Sequence, residues 1–105
     1  EDLGFLNMAT NASPNSKPFA FKLNQNYPNP FNPSTLIQFT LPASVNVRLQ
    51  VFDVQGRLVQ TLIDGNVPAG EQSIRFDGSS LSNGTYLYRL ETPYGAASRK
   101  MTLIK

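Results

Sequence analysis

The chain contains no cysteine, no histidine and no tryptophan in its 105 residues. Without cysteine there are no disulfides, no thiolate metal sites and no thiol nucleophile. Without histidine, the commonest general acid–base group and the imidazole ligand are missing, and no serine can be activated by a histidine partner. No apolar run approaches the ~18 residues a membrane helix needs. Acidic residues also stop early: none follows Glu91, whereas Arg99, Lys100 and Lys105 lie beyond it. Over the whole chain nine Lys and Arg face seven Asp and Glu, giving a net charge of +2. The basic residues are scattered rather than blocked, so no nucleic-acid partner is expected.

The carboxylates offer little chemistry. Asp53, Asp64 and Asp77 sit in turn-like contexts, where aspartate bonds its own backbone. Asp64, Asn66 and Glu71 form a thin oxygen-ligand set, better read as an ordinary polar turn. No glycine pattern cradles phosphate. No catalytic residue, cofactor or metal site is therefore expected, and the chain is read as a non-enzyme. Asn11-Ala12-Ser13 and Asn83-Gly84-Thr85 fit the glycosylation acceptor pattern, but the second is better explained as Asn-Gly turn chemistry.

What the chain does have is a period of two. Phe19, Phe21 and Leu23 alternate with Ala20 and Lys22. Ile37, Phe39 and Leu41 repeat the pattern, as do Val45, Val47, Leu49 and Val51, then Val59, Thr61 and Ile63. Ile74 and Phe76, then Tyr86, Tyr88 and Leu90, and finally Met101 and Leu103 complete it. Alternation of this kind marks half-buried strands. Turn residues separate the runs at Pro42–Ser44, Asp53–Gly56, Asp64–Asn66, Pro68–Gly70, Asp77–Gly78, Ser82–Gly84 and Pro93–Gly95. The expected fold is all-β: an immunoglobulin-like antiparallel β-sandwich of about seven short strands. Val45–Asp53 should pair with Arg57–Ile63, and Gly84–Thr92 with Ala97–Ile104 through Pro93–Ala96. One turn of 3₁₀ helix is expected between Asp77 and Asn83. Leu58, Leu62 and Leu87 break the alternation and suggest sandwich corners or a contact patch.

Residues 1–18 carry Asn, Ser, Ala and Thr with Pro14 and Pro18, a linker composition or the tail of an upstream domain. The domain proper is expected over 19–105. The chain opens on Glu1-Asp2 without a basic leader, so it is expected to be a piece of a longer protein with any export signal upstream.

The most distinctive segment is Asn26-Tyr27-Pro28-Asn29-Pro30-Phe31-Asn32-Pro33-Ser34-Thr35. Its prolines fix φ, remove donors and push their neighbours toward extended geometry, so it is neither helix nor central strand. It is expected to be a stiff extended run wrapped onto the domain, with Tyr27 and Phe31 as anchors. It resembles the opening of the type A C-terminal sorting domain of the type IX secretion system. Leu36–Pro42 and Val47–Val59 are similar to that family's first strand and central hairpin. Ala69-Gly70, Asp77-Gly78 and Asn83–Leu90 resemble its later turns and strand, and Arg99–Lys105 its tail.

The resemblance implies an export address on a larger secreted protein with an upstream catalytic domain. Such a protein crosses the periplasm and reaches the cell surface or the medium. Implied partners are the type IX translocon, a surface sortase-like protease that removes the domain, and lipopolysaccharide where the parent stays attached. It also implies that the machinery reads Arg99, Lys100, Met101, Leu103, Ile104 and Lys105, by strand addition to the C-terminal edge. Tyr27, Pro28, Asn29, Pro30, Phe31, Asn32, Pro33, Gly56, Gly70, Gly84 and Tyr86 match the family's motifs and are expected to shape the fold. The alternatives are an accessory module of another kind: carbohydrate-binding, with Tyr94 as the aromatic expected to be exposed, a scaffold like the flagellar hook-capping domain, or a plain spacer.

Overall fold

The computed structural model describes residues 21–105. The expected linker at 1–18 and the start of the strand expected from Phe19 lie outside them. Seven strands follow in order: β1 (Lys22–Leu23), β2 (Ser34–Leu41), β3 (Val45–Asp53), β4 (Leu58–Val67), β5 (Gly70–Asp77), β6 (Gly84–Thr92) and β7 (Gly95–Leu103). They form two antiparallel sheets, one ordered β1-β2-β5 and one ordered β4-β3-β6-β7. This is the sandwich the alternation predicted.

The period-two pattern decides which side chains meet. Ile37, Phe39 and Leu41 of β2, with Phe76 of β5, face Val47, Leu49 and Val51 of β3, Tyr86, Tyr88 and Leu90 of β6, and Met101 and Leu103 of β7. All are buried, and the charged partners Arg48, Arg75 and Arg89 alternate outward. Removing this apolar area from water is the main stabilising term.

Some local expectations yield to pairing. Asp64-Gly65-Asn66 is not a turn but part of β4, opposite Arg48, Val47 and Asn46. Cross-strand contacts there, Asn66 Nδ2 to Asn46 Oδ1 at 3.3 Å and Arg48 to Asp64 at 3.9 Å, outweigh the local turn preference. β4 then steps into the other sheet across Pro68-Ala69. Register shifts opposite Leu49/Gln50 and Val51/Phe52 bulge the β3–β4 pair. Consequently both Leu62 and Ile63 reach the core, while Leu58 stays exposed. Leu58 shares a cross-strand row with Phe52 and Leu87 on the outer face.

The second hairpin turns on two residues, Pro93-Tyr94, rather than four, so Gly95 already pairs with Thr92. Between Asp77 and Leu81 a single bond from Leu81 N–H to the Gly78 carbonyl closes a turn, not a 3₁₀ helix.

Candidate functional site: the clasped last strand

β7 is an edge strand, and an antiparallel ladder leaves alternate residues with unpaired backbone groups on such an edge. Its odd-numbered residues bond β6; Lys100 and Thr102 face outward, and the proline-rich run meets them there. Phe31 N–H donates to the Thr102 carbonyl at 2.9 Å, and Ile104 N–H donates to the Phe31 carbonyl at 3.0 Å. The Thr102 N–H donates to Asn29 Oδ1 at 3.0 Å, and Gln25 Nε2 donates to the Lys100 carbonyl at 2.7 Å. Phe31 therefore lies parallel to Leu103 as an added bridge. At the run's other end Tyr27 exchanges both backbone bonds with Leu36 of β2. The run is not one straight extended piece: it bends at 28–30 and 32–33, and all three of its X–Pro bonds are cis. It spans the gap between the two sheets and clasps the tail.

The anchors are only partly those expected. Phe31 is fully buried, edge-on to Phe76 with ring centroids 6.0 Å apart. Tyr27 is 77% exposed, because its bridge to Leu36 turns the ring to the outer sheet face. The second anchor is polar. Asn26 is buried, and its Nδ2 donates to Thr35 Oγ1 at 3.0 Å and to the Pro28 carbonyl at 3.1 Å. Thr35, also buried, donates its hydroxyl to the Pro28 carbonyl at 2.9 Å. The Tyr88 hydroxyl accepts from Asn26 N–H at 2.7 Å and donates to the Asn24 carbonyl at 2.6 Å. Burial pushes the Tyr88 phenol above its ordinary pKa; the Asn26 N–H and the Arg99 charge pull weakly the other way.

The tail residues divide sharply. Met101 and Leu103 are fully buried, so their side chains fix the strand and are not displayed. Arg99 reaches over the rim and donates Nε to the Leu23 carbonyl at 2.7 Å. Lys100 is exposed on the outer face, at the end of the row Phe52–Leu87–Lys100. Ile104 is 52% exposed. Lys105 is held by its N–H to Asn83 Oδ1 at 2.9 Å and by Nζ to the Ser79 carbonyl at 3.0 Å. The outer edge beside Phe31 is thus already bonded at Thr102 and at the Ile104 N–H.

The motif residues do structural work. Pro28, Asn29, Pro30 and Asn32 are exposed in the bends, and the Pro33 carbonyl accepts from Gly78 N–H at 2.8 Å. Gly56, with φ of 83°, closes the β3–β4 turn. There Asp53 Oδ1 accepts from the N–H groups of Gln55 and Arg57, and these bonds, that of Arg57 foremost, hold its carboxyl below the usual range. Asp77 is lowered by the N–H of Ser79 in the same way. Gly70 and Gly84 open β5 and β6, and the Tyr86 hydroxyl donates to the Ser82 carbonyl at 2.7 Å.

Asn24, Gln25, Tyr88, Asn83 and Gly78 were not readable as clasp members, since each makes its contact with distant sequence. Asp64 and Asn66 lie on one sheet and Glu71 on the other, and among the described residues no group of three acidic or metal-ligating side chains converges. Of the tyrosines weighed for sugar binding, Tyr86 and Tyr88 are buried, while Tyr94 stands exposed at its hairpin tip.

Residues 25–105 match the family model described as the secretion system C-terminal sorting domain. Among solved structures, dimeric latent PorU from Porphyromonas gingivalis is similar, with a TM-score of 0.64 and 25% sequence identity. That likeness covers 80% of this chain but only 9% of the PorU chain. No curated protein matches.

Proposed function

The chain belongs to the family of secretion system C-terminal sorting domains, and from that premise we propose that it addresses a larger parent to the type IX machine through the displayed face of its clasped tail. A sorting domain implies a parent that is secreted or carried on the cell surface. The observation that carries the reading is the fixed display of Lys100 on, and of Ile104 and Lys105 just past, a strand held between β6 and the proline-rich run. Charges on a rigid frame give a receptor a defined pattern to complement. Side chains, rather than a free strand edge, are then what the translocon reads, with Arg99 setting the rim.

In this reading the folded module passes through the periplasm with its parent and is read without catalysing a reaction itself. A surface sortase-like protease then cuts ahead of it, within the linker composition of residues 1–18. The parent's catalytic domain is released, or is joined to lipopolysaccharide.

The test is a fusion of residues 1–105 to a fluorescent reporter bearing a standard export signal, expressed with and without the type IX machine. Arrival at the surface or in the medium only when the machine is present supports the proposal. Periplasmic retention of the folded fusion in both hosts overturns it.

A further inference from the structure

Exposed sheet edges invite pairing and are usually blunted. Among the described residues four strands are edges: β1, β5, β4 and β7. β1 is two residues long, β4 is broken by two register shifts, and β7 carries the clasp. β5 differs. It is eight residues long, pairs with β2 without a shift, and contains no proline.

Its hydrogen-bonding parity follows from β2. Leu36 exchanges its bonds with Tyr27 and Gln38 accepts from Asn24 N–H, both on the β1 side. The odd residues of β2 therefore bond β5 through Phe76, Ile74 and Gln72. Glu71, Ser73 and Arg75 are left with outward N–H and C=O groups, and none of these has a hydrogen-bond partner among the described residues. Their side chains are exposed on one face. The ion pairs of the described residues join Arg48, Arg57 and Arg89 to Asp64, Glu91 and Asp53; Glu71 and Arg75 take part in none.

We propose that β5 pairs antiparallel with β5 of a second copy of this chain about a two-fold axis at Ser73. That register places Glu71 of each copy opposite Arg75 of the other, at directly bonded positions of the new ladder. Both charges are then matched, twice, by symmetry. The smaller sheets join into one continuous six-stranded sheet. β1 packs beside β7, and β5 is the opposite edge of the same sheet, next in sequence to β4 across Pro68-Ala69. The pairing is independent of the export reading and can fail or hold without it.

Sedimentation velocity on the 105-residue chain, in a dilution series up to millimolar concentration, tests the pairing. The wild type is expected to associate reversibly to a dimer. Glu71→Lys and Arg75→Glu each set like charges opposite at both positions and are expected to weaken it roughly tenfold or more. Mixing the two variants restores opposite charges at both positions, so the mixture is expected to dimerise although neither variant does alone. Both changes are at exposed positions, and circular dichroism confirms that each variant folds. A wild type that stays monomeric throughout, reversals that leave association unchanged, or a mixture that fails to recover would overturn the proposal.

Discussion

The hydroxyl of Tyr88 bonds the backbone of Asn26 across 62 residues of sequence, accepting its N–H at 2.7 Å while donating to the Asn24 carbonyl. One side chain from the middle of the larger sheet thus fixes the start of the segment that clasps the tail. Tyr88→Phe keeps the ring but leaves the buried Asn26 N–H and the half-buried Asn24 carbonyl without this partner. The expected loss is roughly 2–4 kcal/mol, read from a urea melt. A loss under about 0.5 kcal/mol would mean water replaces the hydroxyl and the clasp is not held there.

The same hydroxyl sets an alkaline limit. Burial raises its pKa in the folded protein above the ordinary value of 10.0. The folded state therefore keeps the proton more tightly than the unfolded chain. The stabilisation is fully present below the unfolded pKa and is lost as pH rises through the folded one. Stability measured across this window should decline in the wild type, and the decline should be smaller in Tyr88→Phe. Ultraviolet titration of the phenols should show one tyrosine ionising late.

Gly78 is needed for space. A Cβ built there would lie 3.2 Å from Leu103 Cδ2 and from Phe31 Cε2, and 3.3 Å from the Pro33 carbonyl oxygen. Two of those groups belong to the clasp and one, Leu103, to the tail it holds. Gly78→Ala should therefore cost about 1–3 kcal/mol, as overpacking does. Amide exchange should quicken at Ile104 and Phe31, whose N–H groups bond the Phe31 and Thr102 carbonyls that the intrusion pushes apart. Unchanged exchange there would show that the methyl is absorbed elsewhere.

Phe31→Ala attacks the same junction from the opposite direction, by removing volume. Its ring is 1% exposed and meets Phe76 edge-on. The expected destabilisation is roughly 3–5 kcal/mol in a denaturant melt. A change below about 1 kcal/mol would show that the proline-rich run is dispensable to the core.

The strands were legible because burial on one sheet face writes itself as alternation, and β2, β3 and β6 follow it residue by residue. Phe31 was legible for a related reason, as an aromatic isolated among prolines. Tyr27 looked equivalent but is not: its backbone is what binds, and the bridge to Leu36 turns its ring outward. Asp64-Gly65-Asn66 reads as a turn in any local window, and only the facing strand makes it extended. Of the tail, the basic charge was legible and its support was not. Thr102 bonding Asn29, and Lys105 bonding Asn83, are long-range contacts between side chains and backbone that leave no periodic trace.

Separating recognition from folding in the tail requires substitutions rather than truncation. A chain ending at Ser98 would lose Met101 and Leu103, both fully buried, so a failure to be exported would report only collapse of the core. Lys100 offers a cleaner probe, being exposed, with no ion-pair partner among the described residues. Lys100→Glu should change stability by less than about 0.5 kcal/mol, as surface changes do. Reporter export should nevertheless fall severalfold if the displayed charge is read. Arg99→Ala should lower both, because it also removes the bond from Nε to the Leu23 carbonyl. Export by Lys100→Glu at the wild-type level, with Arg99→Ala losing export only in proportion to its folded fraction, would assign the tail to folding alone.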